Sequence, residues 1–127
     1  MKNLRSPLSQ ARGLGSAKDG VSHWWIQRLT AVALVPLSLW FVFSVARWRL
    51  SDYTTMVAWL HDPYAAVALV LFFIALFYHS ALGVQVIIED YIAHEGAKLV
   101  AVVLEKLAHF ALAAAAIFAV LKTAFGA

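Results

Sequence analysis

The sequence predicts an all-α membrane protein: three transmembrane helices, a polar flexible N-terminal tail, and the N-terminus in the cytoplasm. Three observations predict it. Of 127 residues, 63% are hydrophobic and only 13% are charged, with a mean hydropathy of +0.78. A soluble domain of this size has no core large enough to hide so much apolar surface, so lipid is the solvent. The apolar residues gather in three runs, each long enough to cross a ~30 Å hydrocarbon core as a helix. The runs are apolar throughout and lack the polar alternation of membrane β-strands.

Residues 1–20 contain Ser6, Ser9, Gly13, Gly15, Ser16 and Gly20, with no hydrophobic periodicity, and read as the flexible tail. Residues 21–127 form a single transmembrane domain with helices predicted at about 26–46, 64–90 and 99–121. The first run, Ile26 to Ala46, follows His23, Trp24 and Trp25, an aromatic anchor at headgroup level. It starts too late and is too long for a cleaved signal peptide. Pro36 removes one backbone donor inside it, which predicts a modest kink. The second run, Tyr64 to Ile88, contains no Asp, Glu, Lys or Arg, and the third, Leu99 to Leu121, carries Glu105 and Lys106 near its start. The connection from Arg47 to Pro63, with Trp48, Tyr53 and Trp59, is expected to lie along the interface.

Orientation follows from the basic residues. With three spans, Lys2, Arg5, Arg12, Lys18, Arg28, Lys98 and Lys106 share one face, against Arg47, Arg49 and Lys122 on the other. Basic residues concentrate on the cytoplasmic side, so the N-terminus and the segment around Asp90 are assigned there. The same distribution explains a pI near 9.5 without nucleic acid, because the cations flank apolar runs and form no stripe. The absence of cysteine excludes disulfides, thiolate metal sites and cysteine-held iron–sulfur clusters in this chain. The three runs show no internal repeat, which gives an inverted-repeat transporter little support.

His79 carries the main chemical signal. An imidazole deep in an apolar span is costly, and such groups face the interior of a bundle for a reason. Two readings stand: an axial haem ligand, or a histidine hydrogen-bonded between helices. Gly83, one turn on, either lets a flat macrocycle approach the backbone or is a small packing residue. Asp90 lies eleven residues beyond His79, which returns to the same helix face about 16 Å further along if the helix continues past Ile88. Tyr91 beside it can donate a hydrogen bond to a carbonyl oxygen such as a quinone's, with Asp90 orienting it or passing protons. Their plainer reading is an interfacial anchor with a solvated acid. Arg28 can pair with propionates or with Asp90, or snorkel to headgroups. His23 belongs to the same region. His109, at a depth similar to His79, reads as an interhelical bonding residue or, with His79, as an intrachain ligand pair.

The string His79-Ser80-Ala81-Leu82-Gly83, followed by Asp90-Tyr91, resembles the second transmembrane helix of the D-type hydrophobic membrane anchors of succinate dehydrogenase (complex II). Arg28-Leu29-Thr30-Ala31 is similar to the start of the first helix in that family. The resemblance implies that His79 is one of two axial ligands of a b-type haem, the other coming from a C-type anchor subunit. It implies that Tyr91 bonds a ubiquinone carbonyl with support from Asp90, and that Arg28 and His23 lie near the haem propionates and quinone. The implied partners are the C-type anchor, the iron–sulfur subunit and the flavoprotein, with membrane lipid around them and no nucleic acid. The implied location is the bacterial inner membrane, ahead of the mitochondrial inner membrane. The chain on its own would hold no complete chemistry; it would act as a subunit of the enzyme. Two other readings remain: a small proton- or ion-translocating subunit using His79 and Asp90, and a cofactor-free structural anchor.

Overall fold

Backbone polar groups cannot be left unpaired in hydrocarbon, and the chain answers with helices. The computed structural model describes residues 17–48 and 52–126, and contains α1 (Ala17–Trp48), α2 (Tyr53–Leu60), α3 (Pro63–Tyr91) and α4 (Glu95–Phe125). Three of these are long and apolar enough to cross a membrane: the Val21–Arg47 part of α1, α3 and α4. Residues 1–16 of the expected tail lie outside the described residues, and α1 begins at Ala17, ahead of the apolar run. It continues through Pro36 without a break in the helix.

Each later helix starts on a side-chain cap. Asp52 accepts from the Thr54 N–H and from the Thr54 and Thr55 hydroxyls, which closes the first turn of α2. Asp62 caps α3 through the Tyr64 N–H at 3.1 Å, and Pro63 occupies the first helical position, where no donor is needed. His94 Nδ1 accepts from the Ala97 N–H at 3.3 Å at the start of α4. The α3 helix runs unbroken past Ile88 to Tyr91, with Ile92 N–H bonding the Ile88 carbonyl at 3.0 Å. Asp90 is therefore helical, and the face shared with His79 is continuous.

The α3 helix is the centre of the bundle, packing against α1 on one side and α4 on the other. Its apolar contacts concentrate at the end away from Asp90. Ala66, Leu69 and Val120 form a buried cluster there, covered by Trp40, Phe41, Trp59, Leu60, Val70 and Phe73. Phe41 stacks on Phe72 with ring centroids 5.0 Å apart, and Trp59 of α2 lies against Trp40 of α1 at 5.8 Å. Among the described residues, no α1 side chain is fully buried, and Leu29, Val32, Leu39 and Phe43 all point outward. In water that surface would drive aggregation; in a bilayer it is ordinary contact with solvent.

Candidate functional site

The half of the bundle nearer Asp90 is packed differently. Its interhelical contacts are polar: Gln27 and Thr30 on α1, His79, Ser80 and Gly83 on α3, Glu105 and His109 on α4. Two registers define it. The α1–α3 pair meets at Thr30 with His79 and, one turn nearer the rim, at Gln27 with Gly83. The α3–α4 pair meets at Ser80 with His109.

His79 is half-buried, and its Nδ1 lies 3.0 Å from Thr30 Oγ1. The single Thr30 hydroxyl hydrogen is committed to its own helix, donating to the Ile26 carbonyl at 2.8 Å with the Gln27 carbonyl at 3.0 Å. With that hydrogen used inside α1, the hydroxyl is placed to accept from the Nδ1–H tautomer of His79. That leaves Nε2 with a free lone pair. A histidine that donates through one nitrogen to a fixed acceptor is held in one tautomer and one orientation, an arrangement also common around metal-ligating histidines.

Gly83 lies one turn away on the same side. A Cβ built there would meet only Gln27 Nε2, at 3.9 Å, which is ordinary contact. Packing between α1 and α3 does not require a glycine at this position. Its missing side chain is unexplained by the chain's own contacts and fits the close approach of a flat group from outside the chain.

His109 is fully occupied. Its Nδ1 lies 3.0 Å from the Glu105 carbonyl and 2.9 Å from Glu105 Oε1, and its Nε2 lies 3.1 Å from Ser80 Oγ. Both nitrogens are engaged within the chain, the interhelical bonding expected as one of its two roles. Among the described residues, no group of three or more His, Cys, Asp or Glu side chains converges on a common point, so a metal held by protein side chains alone has no cage here.

At the rim, Tyr91 is 85% exposed and Asp90 is also exposed, both in the last turn of α3. Arg28 is exposed as well, its guanidinium 4.4 Å over the Trp24 ring, while Trp24 and Trp25 meet edge to face at 5.1 Å. His23 is half-buried one turn before Gln27. Within this chain, then, Arg28 is engaged with Trp24, and the rim groups are open to whatever lies above them.

Sequence reasoning did not assign roles to Thr30, Ser80 or Gln27. A threonine in a transmembrane helix ordinarily bonds back to its own carbonyls, as Thr30 also does, so its link to His79 emerges only once α1 and α3 are paired. The Glu105–His109 pair does have a signal in the sequence, an acid and a histidine four residues apart on one helix face.

These features define a class: a membrane protein with three spans, a polar site between its helices and an open rim. A family model described as the succinate dehydrogenase/fumarate reductase transmembrane subunit matches residues 2–121. The succinate dehydrogenase hydrophobic membrane anchor subunit of Rickettsia bellii (strain RML369-C) is 38% identical over 91 residues, 72% of this chain and 73% of that protein. That of Paracoccus denitrificans is 32% identical over 122 residues, 96% of this chain and 94% of that protein. The succinate dehydrogenase membrane anchor subunit of Reclinomonas americana is 35% identical over 91 residues, covering 68% and 75% of the two chains. No solved structure matches the chain. The chain belongs to the succinate dehydrogenase/fumarate reductase transmembrane subunit family and aligns with its hydrophobic membrane anchors.

Proposed function

We propose that this chain anchors succinate dehydrogenase in the bacterial inner membrane, supplies one axial ligand of a haem b through His79 Nε2, and forms part of the ubiquinone-reduction site with Tyr91 and Asp90. Family membership supports the anchor role. The observation that carries the haem reading is the Thr30–His79 contact at 3.0 Å, which leaves Nε2 as a free donor atom in a low-dielectric span. The uncrowded backbone at Gly83 supports the same reading. The second ligand comes from a C-type anchor subunit, because His109 is already engaged.

A bound haem supplies a one-electron store in the membrane. What the chain's own residues do is separate from that. Thr30 holds the His79 ring. Arg28 and His23 stand on α1 above that level, near where propionates would meet water. Tyr91 donates a hydrogen bond to a quinone carbonyl at the rim, and Asp90 on the His79 face orients it and hands on protons. Electrons from succinate oxidation reach the quinone through the flavoprotein and iron–sulfur subunits, linking the tricarboxylic acid cycle to the respiratory chain; two electrons and two protons convert quinone to quinol. A proton- or ion-translocating role for His79 and Asp90 has family membership against it.

A reduced-minus-oxidised visible spectrum of the purified complex tests the proposal. A b-type band that His79→Ala abolishes is the expected result. A complex without that band, or one that keeps it unchanged in His79→Ala, overturns the haem assignment.

A further inference from the structure

A groove of about 510 Å³ runs between α3 and α4. Ile74, Phe77, Phe110 and Ala113 line its deeper part, and Gln85 and Lys106 line the part nearer the Asp90 end. Phe110 is 75% exposed, so the groove opens outward, toward lipid. Helical side chains lean toward the N-terminus of their own helix. Because α4 begins at the rim with Glu95, the exposed Lys106 carries its ammonium back toward water. Gln85 Nε2 donates to Glu89 Oε1 at 2.7 Å, which holds that carboxylate one turn nearer the rim, and Oε2 makes no bond among the described residues. Neither Lys106 nor Glu89 has an oppositely charged side chain within 4.0 Å among the described residues. His109, also on the groove wall, has both nitrogens engaged within the chain.

We propose that this groove binds one zwitterionic aminophospholipid, a phosphatidylethanolamine. From the middle of the span toward water, the groove offers an apolar wall, then an ammonium, then a carboxylate. That lipid offers an acyl chain, a phosphate and a primary ammonium in the same order. The phosphate accepts from Lys106 Nζ, and the lipid ammonium donates to Glu89 Oε2, while Gln85 keeps the carboxylate in place. Both bonds are charge-assisted and lie at the edge of hydrocarbon, where a paired charge is far better placed than a lone one. The headgroup follows from the same chemistry. A choline has no N–H to give Glu89, and a glycerol headgroup leaves the lipid anionic beside that carboxylate. A quinone ring has no charge for either residue. The site lies on the α4 side of α3, whereas His79 bonds α1, so it is separate from the proposed haem position.

Lipid competition on the intact complex tests it. The complex is placed in nanodiscs of phosphatidylethanolamine, phosphatidylcholine and phosphatidylglycerol in equal amounts with matched chains, and the lipid it retains is identified by native mass spectrometry. Phosphatidylethanolamine should be retained in preference, and Lys106→Gln or Glu89→Gln should each lower that retention by about tenfold or more, the scale of one hydrogen bond to a charged group. Lys106→Arg should keep it. Phosphatidylcholine held equally well, phosphatidylglycerol held in preference, or retention unchanged in both variants overturns the proposal. A phosphatidylethanolamine with a photoactivatable group in its acyl chain locates the site on the wild-type complex: label should fall on residues 74–77 and 110–113. Label absent from both segments, as when a helix of another subunit fills the groove, overturns it too, and this arm decides the matter should the variants fail to assemble.

Discussion

His79 and Ser80 are consecutive residues of α3, yet they serve different helices: His79 Nδ1 meets Thr30 of α1 at 3.0 Å, and Ser80 Oγ meets His109 of α4 at 3.1 Å. Successive helical residues point about 100° apart, so two adjacent positions fasten the two outer helices to the central one. The first contact engages Nδ1 of His79 and leaves its Nε2 unbonded within the chain; the second engages Nε2 of His109.

Thr30→Val keeps the shape of the side chain and removes the acceptor. The imidazole then loses the contact that fixes its tautomer and raises its basicity, and changes of this kind cost about 10–100-fold in metal affinity. Haem content should fall, and the haem that remains should have a higher midpoint potential, because a weaker donor stabilises ferric iron less. Thr30→Ser should restore both. Spectroelectrochemical titration of the three complexes checks this; identical potentials would remove Thr30 from the site.

Tyr91→Phe deletes one hydroxyl from a rim residue that is 85% exposed, so the fold should be untouched. Quinone reduction should drop by about tenfold, the scale of one lost hydrogen bond to a bound substrate, while succinate oxidation by a soluble artificial acceptor continues. Parallel loss of both activities would point to failed assembly, and unchanged quinone reduction would sink the role of Tyr91.

Gly83 offers a graded test. Gly83→Ala meets only Gln27 Nε2 at 3.9 Å, so insertion and helix packing should match or exceed the native chain, alanine being up to about 1 kcal/mol the better helix former. Gly83→Leu should insert normally and lose haem. Retention of full haem content in the leucine variant would mean that nothing flat approaches this backbone.

The cap of α2 predicts a pH effect outside the span. The Thr54 hydroxyl, with its backbone N–H, holds the Asp52 carboxyl below its ordinary value of 3.8. A lowered value in the folded state means the cap is fully effective above the unfolded value and is lost as pH falls through the folded one. Amide exchange of residues 53–60 should therefore stay protected at neutral pH and lose protection in acid beyond the usual intrinsic trend. Asp52→Asn should keep the cap and lose the extra acid sensitivity; Asp52→Ala should lose protection at neutral pH.

The spans were legible in the sequence because a long apolar run has one stable form in lipid, and the charges outside the runs fix where each can end. The continuous α3 was legible as a condition, since Asp90 shares a face with His79 only if the helix passes Ile88, and it does. The helix over Tyr53–Leu60 was read only as an interfacial connection, although Asp52 followed by two threonines carries a capping signal. What the sequence concealed is pairing. Thr30 and His79 are far apart in the chain, and which of several polar residues face one another depends on how the helices are rotated, which apolar periodicity does not encode when lipid and protein are equally apolar.

The division of the bundle into an aromatic end and a polar end has a consequence for biogenesis. The stacked Phe41–Phe72 pair and the cluster around Leu69 are complete without any partner, so this end can clasp as soon as the helices enter the bilayer. The other end holds a histidine whose Nε2 makes no bond and an acid whose oxygens lack hydrogen bonds among the described residues, needs that the proposed haem and partner subunits would meet. On the proposed function, an unassembled chain would be a bundle closed at one end and open at the other, and its lifetime in the cell should track the supply of the subunit that closes it.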